Sequence, residues 1–366
     1  MITNDIDKTD KRSHPAKVFL ACFFLLSALG LLAVSLIIAR IDPFFRYHAP
    51  LADFPYVVDN QLSQNIGMAE RFGYDAVITG SSMTMNFDTD DFTELLPAHP
   101  HPLKLTTNGA LPHDIDRILD AAFRSGNEIR TVFIALDPST WTAPSGAVKY
   151  PWPEYLYDRN PFNDVKYLWN MEVLLEYCLR PLAEHEATDL STVYATDWED
   201  DLYYTLDWIL DHYEEPAAVA VETPKDAYLP ETKRNLEQEL LPHIDAHPET
   251  EFCFFFAPYS VLYWHGVLQE NHLEATLSQE ALLAETLLSR RNVRVFWFQG
   301  LEEVITDMDG GYMDEIHFRP AINRMMVRFF ADGTCEIRSR EELEVRFDAL
   351  RRLLEGYDFD ALLSGR

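Results

Sequence analysis

An apolar run near the N-terminus is long enough to cross a membrane. No charged residue occurs from Val18 to Ala39, a run of 22 positions. As a helix rising about 1.5 Å per residue, this run spans roughly the 30 Å hydrocarbon layer of a bilayer. It therefore predicts a transmembrane helix, and most of the 366-residue chain must then fold on one side of the membrane.

The charges that flank this run predict its orientation. Four basic residues precede it and two follow it, namely Lys8, Lys11, Arg12 and Lys17 before, Arg40 and Arg46 after. Because basic residues favour the cytoplasmic side, we expect a cytoplasmic tail (1–17), a single-pass plasma-membrane anchor (18–39) and an extracytoplasmic domain (40–366). A cleaved signal peptide is the alternative. The length of the run, and the lack of a clear small-x-small site at its end, favour the anchor.

Composition limits the partners and cofactors. The formal net charge of −30 at pH 7 predicts repulsion of nucleic acid and other polyanions, so we expect no nucleic-acid partner. The four cysteines are widely separated and form no CxxC or Cys/His metal spacing. We therefore predict no disulfide framework, no metal site and no cofactor.

Short β-rich runs alternate with helical patterns over the rest of the chain. Five runs predict strands at Ala76–Thr79, Leu103–Thr107, Thr131–Leu136, Phe252–Ala257 and Val293–Phe298. Helical patterns lie at Asp88–Leu96, Pro112–Phe123, Pro230–Ile244, Val267–Leu288, Arg319–Phe330 and Glu341–Leu363. This alternation indicates an α/β fold with a doubly wound parallel sheet of about five strands. Such sheets bind ligands at the carboxyl ends of their strands.

One long irregular stretch interrupts the alternation. Residues 138–229 begin with a Pro- and aromatic-rich loop and continue with helical patterns at Asp164–Leu182 and Trp198–Tyr213. They predict a helical insertion that forms a cap. Four aromatic residues of this stretch either stack on sugar rings at a cleft rim or fill the cap's own small core: Trp141, Trp152, Tyr155 and Tyr157.

A serine follows the first predicted strand. The run that ends at Thr79 leads directly into Gly80, Ser81 and Ser82, which places the Ser82 hydroxyl at the ligand-binding edge and leaves its backbone N–H free to hold an oxyanion. The nucleophile-elbow pattern GxSxG is absent. Because serine-rich turns after strands are common, this serine needs a second motif beside it.

Asp314 and His317 supply that motif. They follow the fifth predicted strand after a turn-rich loop, just before the last helix of the sheet. A histidine there lies at the same sheet edge as Ser82, so it can take the serine proton while Asp314 orients the imidazole and stabilises its charged form. A surface histidine with a helix-capping aspartate is the alternative.

These two segments resemble blocks of the SGNH, or GDSL-like, hydrolase superfamily. VITGSSM is similar to the first block, with Ser82 as nucleophile, and DEIHF to the last, with Asp314 and His317. LTTNGALP is similar to the second block, whose glycine, here Gly109, donates a backbone N–H to the oxyanion. The resemblance implies a flavodoxin-like fold and an oxyanion hole that includes the N–H groups of Ser82 and Gly109.

The third block departs from the family pattern. Members usually have a Gly-x-Asn-Asp run there, whose asparagine donates to the oxyanion. This chain reads ALDP instead, with Asp137 in place of that asparagine. Losing one such donor costs on the order of 100-fold to 1,000-fold in rate, and Asn108 is the candidate substitute. Asp137 can instead bind a substrate hydroxyl, a basic substrate group or His317, or cap the turn. With Trp141 and Tyr259, it is a candidate substrate-binding residue.

The single N-terminal span, GSS in place of GDS and the missing asparagine resemble one branch of the superfamily. It includes the lipoteichoic acid D-alanylation protein DltD and the alginate acetylation proteins. The resemblance implies a membrane-anchored serine acyl-esterase or O-acyltransferase that acts on acyl groups of cell-surface glycans or polymers, often beside a membrane-bound O-acyltransferase. The acidic composition favours a neutral or zwitterionic glycan. The rival hypothesis is a non-catalytic accessory protein that binds a glycan or an acyltransferase.

Overall fold

The computed structural model describes residues 10–99, 101–158, 160–185, 187–195 and 203–364. The chain forms two compact units, Met1–Val57 with Pro153–Ala187, and Val58–Trp152 with Thr188–Arg366. The stretch 138–229, predicted as one insertion, is divided between them. Residues 1–9 of the expected tail, and Trp198 at the start of a predicted helix, lie outside the described residues.

The larger unit is built on a six-stranded sheet. Its strands are β1 (Ala76–Thr79), β2 (Pro102–Lys104), β3 (Thr131–Ala135), β4 (Glu251–Phe256), β5 (Val293–Trp297) and β6 (Glu336–Ile337). The spatial order is β2-β1-β3-β4-β5-β6; the first five strands are parallel, and β6 is antiparallel to β5. The α/β class and the five parallel strands are as predicted. The sheet is mixed because of β6, whose two residues are too few to show a period-2 pattern.

The helices connect and flank these strands. They are α1 (Asp10–Ile41), α2 (Gln61–Arg71), α3 (Thr89–Leu95), α4 (Pro112–Arg124), α5 (Val165–Leu168), α6 (Arg180–Glu184), α7 (Leu206–His212), α8 (Leu229–Asn235), α9 (Leu241–Ala246), α10 (Val261–Gln269), α11 (Leu273–Leu288), α12 (Glu302–Ile305), α13 (Pro320–Asp332), α14 (Arg340–Gly356) and α15 (Phe359–Leu363). Short 3₁₀ turns span Ser82–Thr84, Pro138–Thr142 and Glu154–Leu156, and π-helical turns span Val173–Leu179 and Leu236–Leu240. Three predicted helices are interrupted: Asp164–Leu182 between α5 and a helical segment that begins at Met171, Val267–Leu288 at the α10–α11 junction, and Glu341–Leu363 at the α14–α15 junction.

An aromatic cluster fixes α13 against the sheet. The Phe330 ring lies 5.3 Å from Phe133 of β3, 5.4 Å from Phe255 of β4 and 5.0 Å from Phe296 of β5, between ring centroids. All four side chains are buried, as expected where central parallel strands are covered. Since α13 begins three residues after His317, this packing also holds the loop that carries the histidine.

The smaller unit contains the apolar helix α1. Its segment Pro15–Ile41 has a mean hydropathy of 2.6 over an 18-residue window, only 6% of which is buried, and is long and apolar enough to cross a membrane. The C-terminal end of α1 is packed: Ile38 is fully buried, and Phe44 stacks on Tyr167 with ring centroids 5.4 Å apart. The Tyr167 hydroxyl donates to Asp42 Oδ1 at 3.0 Å. The end of the apolar helix is therefore part of the core of this unit.

Candidate active site

The turn that presents Ser82 follows β1 at its carboxyl end. Gly80 joins the two with φ +146°, and a Cβ atom there would lie 3.0 Å from the Ala135 Cβ, so only glycine fits without strain. The Ser81 side chain then accepts from the Met83 N–H at 3.3 Å and caps the 3₁₀ turn Ser82–Thr84. Ser82 is half-buried at the start of this turn.

A buried lysine holds the same turn from β2. Lys104 Nζ donates to the carbonyl oxygens of Met85 and Phe87, both at 2.6 Å. Burial lowers the pKa of Lys104 to about 7, although the charge of Asp88 opposes the shift. Sequence reasoning missed this residue, because nothing in the pattern distinguishes a buried lysine in a strand from one at a solvated edge.

Asp314, His317 and Ser82 form a continuous hydrogen-bonded series. His317 Nδ1 lies 2.6 Å from Asp314 Oδ2, and His317 Nε2 lies 2.9 Å from Ser82 Oγ. The Ile316 and His317 backbone N–H groups donate to Asp314 Oδ1 at 2.8 and 2.6 Å. Burial alone would raise the pKa of Asp314, but the His317 ring and these N–H groups outweigh it and hold that pKa below its usual value. The structure thus brings together the three residues predicted to act as a triad.

The loop that carries Asp314 and His317 is tied to the end of β4. The Ser260 N–H and hydroxyl both donate to the Glu315 carbonyl, at 3.0 and 2.7 Å, and the Tyr312 hydroxyl donates to the Pro258 carbonyl at 2.6 Å. These bonds hold the loop in place, so that the His317 ring lies beside the turn that carries Ser82, 235 residues earlier in the sequence.

Ser82 opens onto a cavity of about 320 Å³ whose lining also includes Gly109, Asp137, Lys149 and Tyr259. Within the described part of the chain, the backbone N–H groups of Ser82 and Gly109 have no hydrogen-bond partner. Gly109 adopts φ +64°, and a Cβ there would lie 2.9 Å from Lys149 Cε. Two free N–H donors therefore border the cavity beside the serine, as an oxyanion hole requires.

Asp137 is a buried acid at the edge of the cavity. The Tyr259 hydroxyl donates to its Oδ1 atom. Burial raises the pKa of Asp137, while hydrogen bonds from Ser81 and Tyr259 and the charge of His317 reduce the shift. Burial thus shifts the Asp137 carboxyl group toward its neutral form, which can donate as well as accept.

Other predicted binding residues lie outside the cavity lining. Asn108 is exposed, and its backbone N–H donates to Gln61 Oε1 at 2.8 Å. Trp141 is 1% exposed, and its carbonyl accepts from Asn235 Nδ2 at 2.9 Å. Trp152 is also buried, with its Nε1 donating to Asp114 at 2.7 Å. Both tryptophans fill the interior of the larger unit, whereas Tyr155 and Tyr157 of the smaller unit are half-buried.

Among the residues that the structure describes, one cluster of side chains brings metal-ligating atoms together. Single ligand atoms of His113, Asp116 and Glu239 lie within 4.8 Å of one another. His113 Nδ1 is 2.7 Å from Glu239 Oε2, and His243 Nε2 is 2.7 Å from Asp116 Oδ1. These distances are those of imidazole–carboxylate hydrogen bonds, which clamp α4 to the helical segment ending in α9. Sequence spacing gave no sign of the cluster, because its two halves lie more than 120 residues apart.

No family model matches this sequence, and no curated protein matches it. The resemblance to SGNH hydrolases therefore rests on short segments around Ser82, Gly109 and His317. The geometry of Ser82, His317 and Asp314 is independent of that resemblance.

Proposed function

We propose that this chain is a membrane-anchored serine acyl-esterase or O-acyltransferase of the SGNH type. Its substrates would be ester-linked acyl groups of cell-surface glycans or polymers. The observation that carries the proposal is the series Ser82–His317–Asp314, with hydrogen bonds of 2.9 and 2.6 Å, beside a cavity with two free N–H groups. A nucleophile, a base and a group that orients the base are the minimum for covalent acyl transfer.

The reaction follows from the positions of these groups. His317 Nε2 takes the Ser82 proton as Oγ attacks the acyl carbonyl, while the Asp314 carboxylate stabilises the imidazolium. The Ser82 and Gly109 N–H groups hold the oxyanion of the tetrahedral intermediate. Collapse breaks the ester bond, and His317 gives its proton to the departing alcohol. Water or an acceptor hydroxyl, deprotonated by His317, then attacks the acyl-serine, which gives hydrolysis or transfer respectively.

Asp137 offers a third oxyanion donor in place of the missing asparagine. Protonated, its carboxyl group has the shape of an asparagine amide and carries one O–H donor. Tyr259 donates to Oδ1, so the second oxygen can carry the proton. A carboxylic acid kept neutral by an apolar site is a known way to build an oxyanion hole.

Strand order and the packing of α1 support the rest of the proposal. The order β2-β1-β3-β4-β5 is that of flavodoxin-like folds, in which ligands bind at the carboxyl strand ends. Because Ile38 is buried in the smaller unit, cleavage after the apolar run would remove part of a packed core, which favours an uncleaved anchor. The excess of basic residues before the run then favours a cytoplasmic N-terminus and an extracytoplasmic site.

Hydrolysis of a simple acyl ester tests the proposal. The full-length protein in detergent should hydrolyse p-nitrophenyl acetate, and Ser82→Ala should lower kcat by at least about 1,000-fold. Ser289→Ala, at an exposed serine after α11, should keep the wild-type rate. A folded wild-type protein no faster than Ser82→Ala on acetyl, alanyl and longer acyl esters would favour the accessory-protein hypothesis.

A further inference from the structure

A helical segment of the smaller unit leaves a stripe of large apolar side chains uncovered. Residues 171–184 form one continuous helical segment, in which Met171, Leu175, Leu179 and Leu182 are 42–53% exposed. Their spacing of four, four and three places them on one face. Contiguous exposed apolar side chains on a folded protein mark a surface that is covered by something else.

The other faces of this segment are accounted for. Val173, Leu174 and Cys178 are buried in the unit's core. A neighbouring stripe is charged, and Arg180 lies 2.9 Å from Glu176 and 3.6 Å from Glu184. The segment therefore has a packed face, a water-facing charged face and a bare apolar face, a pattern typical of helices that lie in a membrane interface.

The loop just before this segment indicates how deep the segment would lie in a membrane. Trp169, 50% exposed, donates from its indole Nε1 to Ser35 Oγ at 3.0 Å. Ser35 lies within α1, four residues before the uncharged run ends at Ala39, which is about 6 Å along the helix axis. If α1 spans the bilayer, Trp169 lies near the edge of the hydrocarbon layer, where tryptophan is enriched in membrane proteins.

We infer that the segment from Trp169 to Leu182 forms a second membrane contact, with the apolar stripe buried among lipid acyl chains beside α1. The occupant is the bilayer itself, because the Trp169–Ser35 hydrogen bond joins this segment to α1, a helix long and apolar enough to cross a membrane, most of whose apolar side chains are also exposed. The binding is apolar, since the net charge of −30 opposes attraction to anionic lipids. The inference does not depend on the serine site.

Cysteine labelling of the full-length protein in phosphatidylcholine liposomes tests this inference. In a background with Cys22→Ser and Cys335→Ser, single variants Leu175→Cys and Leu179→Cys are compared with their charged neighbours Glu176→Cys and Arg180→Cys. A membrane-impermeant maleimide should react at least about tenfold more slowly at the leucine positions, equivalent to about 1.4 kcal/mol of protection. Neighbouring positions share the same fraction of outward-facing molecules, so this ratio is independent of orientation.

Two further measurements separate the outcomes. Leu32→Cys, in the middle of α1, should not be labelled. If Leu32→Cys stays unlabelled while Leu175→Cys and Leu179→Cys react as fast as their neighbours, the anchor stands and the second contact is wrong.

The fluorescence of Trp169 is the second measurement, obtained as the difference between the emission of the wild type and that of Trp169→Phe. This emission should be quenched by acyl-brominated lipid and not by iodide. The reverse pattern would also overturn the inference and would leave the stripe free for a protein partner.

Discussion

Replacing Asp137 tests whether a neutral acid completes the proposed oxyanion hole. Asp137→Asn keeps the shape and supplies an N–H donor, so it should retain kcat/KM for p-nitrophenyl acetate within about tenfold. Asp137→Ala removes the donor. One lost oxyanion donor costs about 100-fold to 1,000-fold, or about 2.7–4 kcal/mol of transition-state stabilisation.

The pH dependence gives a sharper criterion. Asp137 faces Ser81, Tyr259 and His317, and Tyr263 also lies within its electrostatic reach. Because burial raises the pKa of Asp137, the acid is protonated below that raised pKa and loses its proton as the pH rises through it. The ionised form cannot donate and repels the developing oxyanion, so wild-type kcat/KM should fall on the alkaline side. Asparagine does not titrate, so Asp137→Asn should remove that fall.

Two outcomes would refute this reasoning. If Asp137→Asn, with an unchanged thermal melt, is as slow as Asp137→Ala, the carboxyl group has another role, such as fixing Tyr259. If the alkaline fall is identical in wild type and Asp137→Asn, another group causes it.

Three other predictions concern the serine turn, the second proposed oxyanion donor and the proposed membrane topology. Lys104→Met leaves two buried carbonyl oxygens without a donor, so it should lower the free energy of unfolding by about 2–5 kcal/mol, as measured by denaturant unfolding in detergent. The control Lys149→Met, at an exposed position, should lower it by less than about 0.5 kcal/mol. Gly109→Ala should lower kcat/KM by about tenfold, because a Cβ 2.9 Å from Lys149 Cε forces the flexible Lys149 side chain to move within the cavity lining, beside the proposed oxyanion donor. Gly126→Ala has a similar positive φ but no atom within 4 Å, and its kcat/KM should stay at the wild-type value. A C-terminal alkaline phosphatase fusion should be active; an inactive fusion, with an active cytoplasmic reporter at the same point, would contradict the proposed topology.

The parts of the fold that were predictable are those with strong local patterns. The buried strands β1, β3 and β4 are near-continuous apolar runs, and the structure has them within one residue of the predicted bounds. Helix α2 was missed because its buried face includes Gln64 and Asn65, which an apolar periodicity does not register. The break between α10 and α11 at Asn271, with φ +56°, was missed because apolar residues continue on both sides.

The site was partly predictable for a similar reason. Ser82 and His317 each follow a strand, and the carboxyl ends of parallel strands meet at one edge, so their proximity follows from topology. Contacts between side chains distant in sequence do not follow from it. The burial of Trp141, the exposure of Asn108 and the support of the serine turn by Lys104 all depend on packing that no local pattern encodes.

Covalent labelling tests the central claim, a serine activated by His317, most directly. The full-length protein is the right material, because Ile38 and Ile41 at the end of α1 are part of a packed core. A fluorophosphonate should label Ser82, identified by peptide mass spectrometry. His317→Ala should abolish labelling with the melt unchanged, and Asp314→Asn should weaken it less completely. Labelling of Ser82 at the same rate in His317→Ala, or of another serine such as Ser81 or Ser260 in the wild type, would contradict the site proposed here.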